Sequence, residues 1–177
     1  LGDATNIIFA GVIGQNLQAG MTQAQVEDLL RSRGETQFAD MLHGMGREFG
    51  STTGRARRCG WLDAVLLRYA VMVNGCDAIA ITNLDGLDGL DHIRICTHYE
   101  LDGKRLEHPP ATVPEMERCR PVFESHDGWK QDLSGITDGS QLPPKARAYL
   151  DRIAELAGAR ISLLGIGPAR EQTLVLG

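Results

Sequence analysis

Between Phe49 and Asp63 the sequence reads FGSTTGRARRCGWLD, with three arginines set among hydroxyl-bearing and glycine residues just ahead of an apolar run. Residues of these types at this spacing suit anion binding. A planar guanidinium holds a carboxylate through two parallel charge-assisted bonds, which lysine cannot do. Gly54 lets the backbone approach a ligand closely. A solvated loop whose arginines cap nearby carbonyls or stay in water would tolerate the same composition. The stretch leads into Trp61–Val73, where apolar residues recur at helical spacing and stop at Asn74-Gly75. A helix N-terminus is therefore expected beside the arginines, and its free N–H groups and dipole favour a bound anion. Asp63 is expected either to cap that helix or to hold an arginine, and Trp61 to pack the loop against a sheet.

The elements that must position this loop alternate between strand and helix. Asn6–Ile13 is a short β-branched apolar run, and the T-x-x-Q form at Thr22–Gln25 predicts a capped helix from about Gln23 to Arg31. Ala78–Thr82 reads as a buried strand. Ile93–Leu101 and Lys104–Leu106 read as a hairpin turning at Asp102-Gly103. His108–Arg120 holds three prolines and reads as an irregular connection. Pro143–Leu156, with proline at its start and Gly158 beyond it, reads as an amphipathic helix, and Ile161–Leu164 and Thr173–Leu176 as closing strands. The order predicts an α/β fold, a mixed sheet with flanking helices, whose ligands sit in loops at the strand ends.

Composition narrows the partners. With 177 residues, 42% hydrophobic and 23% charged, the chain can bury a core and belongs with globular rather than disordered sequences. A net charge of -5 argues against a general nucleic-acid or anionic-membrane binder, so the arginine cluster is local. Cys59, Cys76, Cys96 and Cys119 form no C-x-x-C pair and fit the reduced thiols of a cytoplasmic protein. No apolar run has membrane-spanning length. The five histidines, His43, His92, His98, His108 and His126, are scattered and expected to be surface or packing residues, with no metal role. The chain opens on Leu1 rather than Met, so a beginning upstream of Leu1 is expected.

The loop Phe49–Asp63 resembles the signature loop of the adenylosuccinate synthetases, which join aspartate to inosine monophosphate (IMP) using GTP. TNLDGLDGL at Thr82–Leu90, DGW at Asp127–Trp129, LPPKARAYLDRIAELAG at Leu142–Gly158 and GIGPAREQT at Gly165–Thr173 are similar to further family motifs in the same order. The resemblance runs from about Gly46 to the C-terminus, with residues 1–45 divergent, and implies one domain over 1–177 built as the C-terminal part of that family's P-loop-like fold. It implies that Ser51, Thr52, Thr53, Gly54, Arg55 and Arg57 bind aspartate and IMP. The hydroxyls and N–H groups of Thr52 and Thr53 would face the carboxylates, Arg55 would reach toward nucleotide and aspartate, and Arg57 toward aspartate and the GTP side.

The resemblance further implies a guanine site at Asn83, Leu84 and Asp85 and at Gly165, Ile166 and Gly167. A carboxylate at Asp85 can accept from both N1–H and the exocyclic amine of guanine, and adenine offers no such pair. Read alone, an aspartate in N-L-D-G is a turn residue. Asn83 stands where the family has lysine, and Gly165 and Ile166 replace the hydroxyls of the family's S-T-G. Phosphoryl transfer to the 6-oxygen of IMP needs a phosphate cradle, Mg2+ and a positioned base. The family's cradle, G-D-E-G-K-G-K, and its catalytic aspartate and histidine have no counterpart in these residues. GTP and Mg2+ are implied by the family, with no catalytic or metal-ligating residue assigned in this chain, and a homodimer is implied for the intact enzyme. A non-catalytic module holding a nucleotide or dicarboxylate, or one half of a split enzyme with an N-terminal half as partner, are the alternative readings.

Overall fold

The computed structural model of the chain describes residues 6–7, 52, 54 and 60–176. The expected helix at Gln23–Arg31 and most of the strand expected over Asn6–Ile13 lie outside them. The described elements run β1 (Asn6–Ile7), β2 (Leu62–Asp63), α1 (Ala64–Asn74), β3 (Ala78–Ile81), β4 (His92–Leu101), β5 (Lys104–Leu106), α2 (Val113–Arg118), β6 (Arg120–Asp127), α3 (Pro144–Ala157), β7 (Arg160–Gly165) and β8 (Thr173–Val175). The fold is mixed α/β, and its strands divide between two mixed sheets. One has the order β1-β3-β7-β8, parallel except for β8, and the other joins β2 to β4 in parallel, with β5 and β6 antiparallel on β4.

Local chemistry sets these boundaries. The apolar run from Trp61 is split, because Asp63 is the N-cap of α1 and so Leu62–Asp63 stay extended as β2. Gly75 and Gly158 end α1 and α3 in the left-handed conformation that lets their N–H groups bond back to the last turn. Asp102 and Gly103 both have positive φ, at 50° and 76°, as a tight two-residue hairpin requires. The proline-rich connection contains α2, with Pro114 in its first turn where a missing N–H costs nothing. It is followed by β6, a strand the apolar pattern does not announce.

One core joins the two sheets. Ile79, Ile81 and Leu164 of the first, Leu62, Ile93 and Ile95 of the second, and Tyr149, Leu150 and Ile153 of α3 are buried together. Each such aliphatic side chain contributes about 1.5–3 kcal/mol on leaving water. Val65, Cys96, Tyr99 and Cys119 form a smaller core on the other face of α1. Across the join, Arg152 of α3 grips Glu124 of β6 through two bonds of 2.8 Å each.

Candidate functional site

β3 and β7 lie parallel, with Ile81 beside Leu164, so the residues that follow them emerge at one edge of the sheet. Asn83, exposed, takes the left-handed conformation at φ 59°, which asparagine adopts more readily than most residues. It turns the chain into a 3-10 turn, Leu84–Leu87, whose two leucines are fully buried anchors. Asp85, between them, is 9% exposed. The end of β7 lies against this segment. A Cβ built on Gly165 would meet Thr82 Cα at 3.4 Å and Asn83 N at 3.8 Å. Two sequence motifs 80 residues apart are therefore neighbours.

Within the second motif, Ile166 is fully buried and its N–H donates to the Gln172 carbonyl at 2.9 Å. Its side chain belongs to the core. Gly167 leaves space that the Gln172 side chain fills, and Gln172 Oε1 accepts from the Ala169 N–H at 3.0 Å while Nε2 reaches the Ser134 carbonyl at 3.5 Å.

Ser134 belongs to a third segment that the sequence reading did not assign. Beside Asp85 lies an open cleft of about 540 Å³, within the range of small-molecule sites, lined also by Lys130, Gln131, Asp132 and Ser134. Asp88 fixes that segment. Its carboxylate accepts from Trp129 Nε1 at 2.7 Å and from the Leu133 N–H at 2.9 Å. Partial burial raises its pKa above the ordinary carboxylate value, against the lowering effect of those two bonds. The chain enters the segment at Gly128, which donates to the Asp91 carbonyl at 2.8 Å. A Cβ there would overlap the Leu90 carbonyl oxygen and stand 2.8 Å from its carbon, so only glycine fits. The DGW motif thus does structural work on the cleft. The available signals were a second aspartate three residues after Asp85 and an indole N–H in need of an acceptor.

Of the arginine-loop residues, Thr52 lies exposed in a turn and Gly54 is exposed at φ 64°. Ser51, Thr53, Arg55 and Arg57 lie outside the described residues. Asp63, the N-cap of α1, anchors the loop at its C-terminal end. Asp63, 6% exposed, accepts from the Val65 and Leu66 N–H groups at 3.0 Å each and from the Tyr99 hydroxyl of β4. Of the two roles open to Asp63 in the sequence, helix capping is seen, and the loop arginines that bear on the other lie outside the described residues. Burial raises its pKa above the usual carboxylate value, and burial together with the neighbouring Asp63 charge raises the Tyr99 hydroxyl. Trp61 packs against the main core, as expected.

A model of the adenylosuccinate synthetase family matches residues 19–174. The chain belongs to the adenylosuccinate synthetase family. It is 53% identical over 137 residues to the adenylosuccinate synthetase of Pelobacter propionicus, covering 77% of this chain and 32% of that protein. It is 51% identical over 140 residues to that of Methanothrix thermoacetophila, covering 79% and 33%. The fold is similar to a fully ligated adenylosuccinate synthetase from Plasmodium falciparum, with a TM-score of 0.75 and 35% identity over 80% of this chain and 34% of that one. The chain spans about a third of the length of the curated relatives it matches. Adenylosuccinate synthetases are ligases of purine biosynthesis, and this chain is related to them in both sequence and fold. Among the described residues no helix is long and apolar enough to cross a membrane.

Proposed function

We propose that this chain supplies the aspartate loop and the guanine-binding part of a GTP-dependent ligase that joins L-aspartate to IMP. The observation that carries the reading is the contact of Gly165 with Thr82 and Asn83 at the ends of two parallel strands, beside the cleft that Asp85 lines. The carboxylate of Asp85 accepts from the paired donors of the guanine edge. Asn83, Leu84, Gly165, Ile166 and Gly167 shape the surface around the base through their backbones, since Ile166 turns its side chain into the core. Ser51, Thr52, Thr53, Gly54, Arg55 and Arg57 hold aspartate and IMP, and Arg57 also faces the GTP side. The reaction phosphorylates the 6-oxygen of IMP, and the amine of aspartate then displaces phosphate. The arginines offset carboxylate charge in the bound ligands and hold the nucleophile in place. The chain forms part of a single domain and acts in the cytoplasm, and the intact enzyme assembles as a homodimer.

The described residues do not fit a Mg2+ site, because no three metal-ligating side chains converge among them. No step is therefore assigned to a metal on this chain. The test is turnover with IMP, GTP, Mg2+ and aspartate, using the 177-residue polypeptide alone and then with the N-terminal part of a relative supplied in trans. The expected result is no product alone and adenylosuccinate with the added part, with Arg55→Lys raising the KM for aspartate. Product from these residues alone, or an unchanged KM in the arginine variant, would overturn the assignment.

A further inference from the structure

Lys130 lines the same cleft as Asp85, with its backbone at φ 48°, a left-handed conformation that a side-chain-bearing residue adopts at a cost. Its neighbours over-determine that backbone. Gly128 is wedged on the Leu90 carbonyl, and Asp88 holds Trp129 on one side and Leu133 on the other. The ammonium is paired with Asp91, but the two side chains are 61% and 72% exposed, so the pair is readily exchanged for a ligand. The charge around the cleft decides which part of a nucleotide it admits. Asp85, Asp88 and Asp132 set three carboxylates against one lysine, and Asp132 is held below the usual carboxylate pKa by the Ser134 N–H. Such a lining repels phosphates and leaves room for a base with donors on its edge.

We propose that Lys130 is a specificity-determining residue of the guanine site, its ammonium donating to the 6-oxygen that adjoins the donor pair taken by Asp85. This rests on the reading of Asp85 given above. Guanine presents acceptor, donor and donor in sequence along that edge, and a carboxylate flanked by an ammonium is its complement. Adenine carries an amine where Lys130 needs an acceptor. Lysine reaches the position from an exposed wall on a long stem that packs along the base.

The test measures direct binding of GDP, 6-thio-GDP and ADP to the chain and to its Lys130→Gly and Asp85→Asn variants, with thermal melting of each. Sulfur is a weak acceptor, so 6-thio-GDP keeps both donors and loses the group Lys130 reads. Lys130→Gly is expected to weaken GDP about tenfold, the loss of one charge-assisted bond. It should leave 6-thio-GDP and ADP within about twofold, a cycle that isolates the contact, and melt no lower than the parent because glycine relieves the left-handed backbone. Equal weakening of all three nucleotides would mean a phosphate or general charge effect and would overturn the proposal. So would unchanged GDP binding by Lys130→Gly while Asp85→Asn erases the preference for guanine, a result that leaves the Asp85 reading standing. Equal binding of GDP and ADP by the parent chain, or no saturable binding of either, would sink both.

Discussion

Replacing Asp63 with alanine removes three interactions at once. The Val65 and Leu66 N–H groups lose their cap, worth about 0.5–2 kcal/mol. The Tyr99 hydroxyl, fully buried, is left without its acceptor at a cost of about 1–3 kcal/mol. The relief of a desolvated carboxylate offsets part of this, so the expected net loss is about 2–4 kcal/mol, or a fall of about 1–2 M in the urea midpoint for a chain of this size. Asparagine keeps an acceptor for the cap and gains an N–H that can donate to the tyrosine oxygen, so Asp63→Asn should cost less than about 1 kcal/mol at pH 7.

The pH dependence separates the charge from the bonds. Because burial raises the folded pKa of Asp63 above 3.8, the folded state binds its proton more tightly than the unfolded state does. Asp63 therefore subtracts stability as pH rises from the unfolded value through the raised folded one, and the subtraction is complete above it. Urea melts of parent and Asp63→Asn between pH 3.5 and 7 should diverge in that direction, the asparagine variant gaining on the parent as pH rises. A parallel pair of curves, or an alanine variant within about 0.5 kcal/mol of the parent, would refute this account of the anchor.

Three further outcomes are expected. Gly128→Ala should lose about 3 kcal/mol or fail to fold, since the clash is with backbone and nothing flexible can yield, whereas Gly135→Ala, with open space around it, should be neutral within about 0.5 kcal/mol; denaturant melts compare them. Arg152→Ala should cost about 1 kcal/mol at pH 7 and less as pH falls below 4.5, because Arg152 depresses the Glu124 pKa and the stability it confers is lost on protonation; melts at pH 3 and 7 read this. Cys96, its thiol pushed up to about 12 by burial, and Cys119, 2% exposed, should resist alkylation until unfolding, while the half-buried Cys76 is labelled in the native protein, as peptide mass spectrometry would report.

What the sequence made legible was punctuation by local chemistry. Helix ends at Gly75 and Gly158 and the turn at Asp102-Gly103 are each set by residues within one turn of themselves. β6 has no apolar alternation to announce it, since Pro121 stands near its start and the run after it is half-exposed and charge-rich, yet β6 is bonded to β4 alone among the described strands, and an edge position tolerates proline. The continuous apolar run predicts a helix from Trp61, whereas a buried acceptor at Asp63 decides where α1 begins. The Lys130–Ser134 side of the cleft was hidden for the same reason at longer range. Asp88 is tied to Trp129 and Leu133 across 41 and 45 residues, and no local pattern carries such a tie.

The glycines around the site differ in what they require, and the difference bears on the proposed base recognition. Gly128 is imposed by backbone contact, and Gly167 gives way to the flexible Gln172 side chain. At Gly165 an added Cβ would only touch Thr82 at ordinary van der Waals distance, so packing does not exclude a larger residue there. A hydroxyl at that position would fit the fold, and this chain does without one. With Ile166 buried and its N–H already bonded to the Gln172 carbonyl, the β7 side of the site has little left for a base except backbone surface. On the proposed reading, discrimination between purines then falls on side chains of the Lys130–Ser134 segment and of the Leu84–Leu87 turn. Lys130 and Asp85 are the charged groups there whose sequence of donor and acceptors matches the guanine edge.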